Sequence, residues 1–184
     1  MGIFDVWNTR FNMTNQTLEI LVIDDKKENR KAASDFFSTQ GDLKIDYAFD
    51  YQSGLKKLHE KTYDGAVIDV QMPYKTGEEA HEYGILIGRA AEDLAVPFVF
   101  LTSKNYEHNG TQRGSAIYSD EFCLTNDKGK ITAEKTTPKA WADAYSELKS
   151  VLGTPEMTRK AKERYIQVNG RFYRQSLVKN KSQN

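Results

Sequence analysis

The chain has 184 residues, 39% of them hydrophobic, which suits one domain of ordinary size with extensions and excludes wholesale disorder. No apolar run approaches the ~18 residues that span a bilayer, and Cys123, the single cysteine, excludes an internal disulfide. The formal net charge of zero hides an asymmetry. Residues 151–184 hold eight Lys and Arg against Glu156 and Glu163, so the first 150 residues carry 18 basic and 24 acidic side chains. An acidic body with a basic tail points to a charged partner or to a tail packed on the body. The N-terminus lacks a charged segment followed by an apolar one, the form of a secretory signal, so a cytoplasmic location is expected.

Residues 1–17 are polar with scattered aromatics and read as an N-terminal extension. Order begins at 18–23 (LEILVI), a short apolar run that reads as a buried strand and ends at Asp24 and Asp25. Residues 26–40 place Ala32, Ala33, Phe36 and Phe37 at helical spacing, and Gly41 supplies a stop. A half-buried strand follows at 43–49, then a helix at 53–61 with Leu55 and Leu58 on its apolar face. Residues 66–70 (AVIDV) form a third strand, which Met72 and Pro73 terminate because proline cannot continue the ladder.

The pattern predicts a longer helix over 78–94, in which Gly84 and Gly88 permit close packing on a sheet. A fourth strand follows at 98–101 (FVFL), then Thr102, Ser103 and Lys104. This alternation predicts a parallel sheet covered by helices on both faces. Residues 105–114 show no helical stripe, while 115–125 and 130–136 read as two strands around Asn126-Asp127-Lys128-Gly129. Thr137 and Pro138 suit an N-cap and first turn of a helix over 138–152 carrying Trp141, Tyr145, Leu148 and Leu152. The body therefore spans 18–153, followed by a basic extension at 154–184 that offers a helix near 156–166 and an Asn169-Gly170 hairpin.

Functional groups of parallel α/β sheets gather at the carboxyl ends of the strands. Three strands here end in reactive groups: Asp24 and Asp25, Asp69, and Thr102 with Ser103. Crowded carboxylates repel, and a hard cation bound through oxygen, Mg²⁺ rather than zinc, would relieve that cost. Plainer readings are that an acid caps the helix after the first strand and that Thr102 caps a turn. An unpartnered Asp69 in an apolar strand would be costly. His59, His81 and His108 show no metal spacing.

The segments LVIDDKKENRKAASDFF, YDGAVIDVQMPYKTGEEA and PFVFLTS resemble response-regulator receiver domains. The resemblance lies in the tandem acids, the Asp followed by x-x-Met-Pro, Gly77, and the Thr after strand four. It covers residues 18–104 well and 135–152 more loosely. It implies a flavodoxin-like, doubly wound, five-stranded parallel sheet of order 2-1-3-4-5. It also implies that Asp69 takes a phosphoryl group from a histidine kinase, a phosphotransfer protein or a small acyl phosphate. Asp24, Asp25, Asp69 and the backbone carbonyl of Gln71 would hold Mg²⁺, and Thr102 would bond a phosphoryl oxygen. The lysine of the family fits Lys135 best, ahead of Lys128 and Lys104, although Lys135 could be an ordinary surface lysine. Such a protein accepts and slowly loses its own phosphoryl group rather than turning over a substrate.

The spacing of 33 positions from Thr102 to Lys135 exceeds the family pattern, and a loop and hairpin take the place of the usual helix. The aromatic residue expected three before the lysine is Thr132, leaving Tyr118 or Phe122 as substitutes. Some 30 residues after Gly153 are too few for the usual DNA-binding effector, so the expected output is a protein contact. Tyr165, Phe172 and Tyr173 among the basic residues keep single-stranded nucleic acid as a secondary candidate. Two rivals remain: a receiver-like interaction module without phosphoryl chemistry, and an Asp-nucleophile phosphohydrolase. The adjacent acids on strand one and the lack of room for a cap domain argue against the second.

Overall fold

A computed structural model of the chain describes residues 17–41, 43–102, 123–124, 131–132, 134–152 and 154. The readings made for the two extensions, for Lys104 and Lys128, and for Tyr118 and Phe122 lie outside the described residues. Strand β1 (Leu18–Ile23) is followed by α1 (Lys27–Phe37), β2 (Leu43–Ala48), α2 (Tyr51–Glu60) and β3 (Gly65–Ile68). A two-stranded ribbon, β4 (Met72–Pro73) and β5 (Ala80–His81), precedes α3 (Tyr83–Asp93), β6 (Phe98–Thr102), β7 (Cys123–Leu124), β8 (Ile131–Thr132) and α4 (Pro138–Val151).

The sheet runs β2-β1-β3-β6 with every pairing parallel: Ile20 lies opposite both Ile45 and Gly65, and Ala66 opposite Phe98. Period-two alternation divides the core between two faces. Ile20, Val22, Val67, Val99 and Leu101 pack with Phe37 of α1 and with Trp141, Ala144 and Leu148 of α4. Leu21, Ile23, Ile68, Phe98 and Phe100 pack on the opposite side with Leu58 of α2 and Ile87 of α3. This double burial is why the strands read as unbroken apolar runs.

Two predicted elements differ. The helix expected over 78–94 begins only at Tyr83, because residues 80–81 pair antiparallel with 72–73 and the chain turns at Gly77, whose φ is +95°. Of the two strands expected over 115–125 and 130–136, residues 123–124 and 131–132 are among the described residues, and each pair runs parallel to β6 rather than to the other. Residues 123–124 join the start of β6 and 131–132 its end. Among the described residues no helix is long and apolar enough to cross a membrane.

Candidate functional site

The parallel arrangement brings the carboxyl ends of β1, β3 and β6 to one rim of the sheet. Asp24 and Asp25 follow Ile23, Asp69 follows Ile68, and Thr102 is the last residue of β6. Backbone bonds extend the ladder into the rim: Asp24 N donates to Ala48 O at 3.1 Å and Asp69 N to Ile23 O at 2.8 Å. Helix α3 starts hard against this segment. Gly84 N donates to Val70 O at 3.1 Å, and any Cβ at Gly84 would collide with the Asp69 carbonyl. The expectation that Gly84 and Gly88 permit close packing is met, since a Cβ at Gly88 would press on the Phe98 and Phe100 rings.

Lys135 enters from the turn before α4. That turn is held by Thr137 N donating to Glu134 O, and the Trp141 indole N–H donates to the Lys135 carbonyl at 2.7 Å. Its ammonium lies 2.5 Å from Asp69 Oδ2 and 2.8 Å from Asp24 Oδ2. Asp24, Asp69, Lys135 and Thr102 are all buried, none more than 5% exposed. Oxygens of Asp24, Asp25 and Asp69 lie within 4.8 Å of one another.

These surroundings set the electrostatics. Burial pushes the Asp69 carboxyl up to about 7; Lys135 opposes that rise, and the charges of Asp24 and Asp25 add to it. Burial and the neighbouring Asp24 charge also raise Asp25. Burial alone would lower Lys135, but the carboxylates of Asp69 and Asp24 outweigh it and keep the ammonium charged.

Asp24, Asp25, Asp69 and Lys135 thus meet at one place. Thr102 is buried at the end of the strand next to β3, and Gln71 lies two residues beyond Asp69 with its side chain exposed. The capping alternative for the acids is not what is seen: the N-cap of α1 is Lys26, without a side-chain cap, although Asp24 Oδ1 accepts from Lys26 N at 3.0 Å. Thr137 stands at the N-cap of α4 as expected, but its hydroxyl donates to Glu134 O rather than capping. His59 and His81 take no part in the acidic group, and His108 lies outside the described residues.

Two participants escaped the sequence reading. Asn29 is buried and its amide donates to both oxygens of Asp24, while Arg30 donates to the carbonyls of Asp24 at 2.6 Å and Asp25 at 2.8 Å. A signal for Asn29 was available. It stands three and four residues before Ala32 and Ala33, a polar side chain on the stripe that α1 buries.

A parallel α/β sheet with an acid cluster and a bridging lysine on its carboxyl rim is the architecture of a receiver-type domain. The family model "Response regulator receiver domain" matches residues 20–116, and the chain belongs to that family, the receiver domains of two-component systems. Transcriptional regulatory protein DltR of Streptococcus agalactiae serotype III (strain NEM316) is 27% identical over 104 residues, 55% of this chain and 44% of that protein. The chain therefore spans less than half the length of that relative. A CheY-like receiver from Methanospirillum hungatei JF-1 aligns with TM-score 0.51 at 15% identity, over 80% of this chain and 99% of that one. The response regulator domain of Thermotoga maritima CheB aligns with TM-score 0.52 at 17% identity, over 76% and 98%. These two likenesses concern the fold.

Proposed function

We propose that the chain is a phosphoacceptor switch in which a carboxylate oxygen of Asp69 takes up a phosphoryl group. The observation that carries this reading is the Lys135 ammonium lying between the buried carboxylates of Asp69 and Asp24. An Asp69 O–P bond would form as the P–N bond of a phosphohistidine, or the P–O bond of an acyl phosphate, breaks and its electrons leave with the donor. Lys135 would shift from carboxylate to phosphoryl oxygen, and the Thr102 hydroxyl would donate to another. There is little covalent work for the protein beyond positioning and charge stabilisation.

The donor set fits Mg²⁺. Three carboxylates converge, all ligands are oxygen, and Asp25 Oδ1 is buried without a hydrogen-bond partner among the described residues. Asp24, Asp25, Asp69 and the Gln71 carbonyl would hold the ion, which when bound would offset charge on the transferring oxygens. The donor would be a histidine kinase or phosphotransfer protein and the output a protein contact, in the cytoplasm, with residues 18–153 as the receiver unit.

Incubation with Mg²⁺ and radiolabelled acetyl phosphate tests the proposal. Acid-labile and base-labile label is expected on the wild type and absent from Asp69→Asn. A chain that incorporates nothing from acetyl phosphate, phosphoramidate or a phosphorylated donor domain, and binds no Mg²⁺ at millimolar concentration, would instead be an interaction module.

A further inference from the structure

Asp24 is the most heavily hydrogen-bonded acid of the site, and one of its donors has no part in the chemistry described above. The Asn29 side-chain nitrogen lies 3.0 Å from Asp24 Oδ1 and 3.2 Å from Oδ2. Lys26 N adds a bond to Oδ1 at 3.0 Å, and Lys135 Nζ one to Oδ2 at 2.8 Å. Asn29 is itself 4% exposed, on the stripe where α1 buries Ala32, Ala33 and Phe37. Packing alone would favour an apolar side chain there, because a buried amide is tolerated only when it is bonded.

What the amide supplies becomes clear from the position of Lys135. One ammonium is shared by two carboxylates, and a phosphoryl group on Asp69 draws it toward new oxygens. Asp24, 1% exposed, cannot turn to bulk water in compensation. Once the ammonium moves, Asp24 stays oriented toward the Mg²⁺ it would hold only through its remaining donors, the Asn29 amide and Lys26 N. We propose that Asn29 is a positioning residue for phosphoryl acceptance: its amide keeps Asp24 bonded and in place while Lys135 moves to the phosphoryl group. This rests on the acceptor reading of Asp69. Asn29 acts through Asp24 and touches neither donor nor acceptor.

The test is a double-mutant cycle on the full chain with wild type, Asn29→Leu, Lys135→Met and the double variant. Two quantities are measured: the affinity for beryllofluoride, a phosphoryl mimic, by calorimetry at saturating Mg²⁺, and the rate of labelling by acetyl phosphate. Asn29→Ala repeats the cycle with a smaller side chain, and circular dichroism establishes that each variant is folded. Loss of a supporting bond of this kind costs about tenfold. That loss is expected for both Asn29 variants in the Lys135 background and should shrink to less than about twofold once Lys135 is methionine. An equal loss in both backgrounds, or none in either, would overturn the role of Asn29 while leaving the acceptor reading intact. A wild type that binds Mg²⁺ but neither beryllofluoride nor phosphoryl would overturn both.

Discussion

At the scale of single residues, the three acids of the rim are not equivalent. Asp24 is saturated with donors, Asp69 faces Lys135, and Asp25 has a buried oxygen with no partner among the described residues. Leaving a buried polar atom unsatisfied costs about 1–3 kcal/mol. Asp25→Ala is therefore expected to raise stability in metal-free buffer by about 1 kcal/mol, read from urea unfolding, and to abolish stabilisation by Mg²⁺. Asp50 behaves in the opposite way. It caps α2 by accepting from Ser53 N at 2.7 Å, and its other oxygen accepts from Thr76 N and Oγ1 at 2.9 and 2.7 Å, tying the loop after β4 to the helix. Burial would raise its carboxyl, but bonds from Ser53 and Thr76 hold it below the usual aspartate range. Because the folded value lies below the unfolded one, the stabilisation is complete above the unfolded value of about 3.9 and is lost as pH falls through the folded value. Asp50→Ala should cost about 1–2 kcal/mol at pH 7, and denaturation series should show that gap closing below about pH 4.

At the scale of elements, the site depends on how close α3 comes to β3. The start of α3 rests on the Asp69 carbonyl, and only a glycine leaves room for it. Gly84→Ala must push the helix or the Asp69 segment aside. A loss of about 1–3 kcal/mol is expected from thermal or urea unfolding, together with slower labelling by acetyl phosphate, since Asp69 itself would shift. Gly88→Ala meets only the edges of the Phe98 and Phe100 rings, which can turn, so its smaller effect should fall on stability and spare labelling. Helix α4 reaches the same site by a different route. The Trp141 indole holds the Lys135 carbonyl and packs edge-on against Phe37 at 6.5 Å, so lysine, α4 and α1 form one connected layer.

At the scale of the whole molecule, Mg²⁺ held by the rim acids as proposed would make folding responsive to metal. An ion that binds only the folded chain stabilises it by mass action, about 1.4 kcal/mol when free Mg²⁺ is ten times its dissociation constant. Thermal unfolding with Mg²⁺ against chelator should show this rise in the wild type. The alternation of apolar runs with helical stripes and the order of Asp24, Asp25, Asp69 and Thr102 along the chain were legible from the residues, because hydrophobic period and strand-end chemistry are local properties. Lys135 could be nominated but not placed, since its ion pairs join positions separated by more than 60 residues. The late start of α3 was hidden because residues 78–82 carry helix-compatible side chains, yet their backbone is drawn into pairing with Met72 and Pro73. The stripe marks Asn29 as a buried polar residue, but that its partner is Asp24 is set only by the fold. The sequence by itself determined the two-faced sheet and the acids at its rim, through side-chain period and residue type. Only the tertiary structure decided which cation meets which carboxylate and where β6 finds its last neighbours. Both depend on long-range packing that no local pattern encodes.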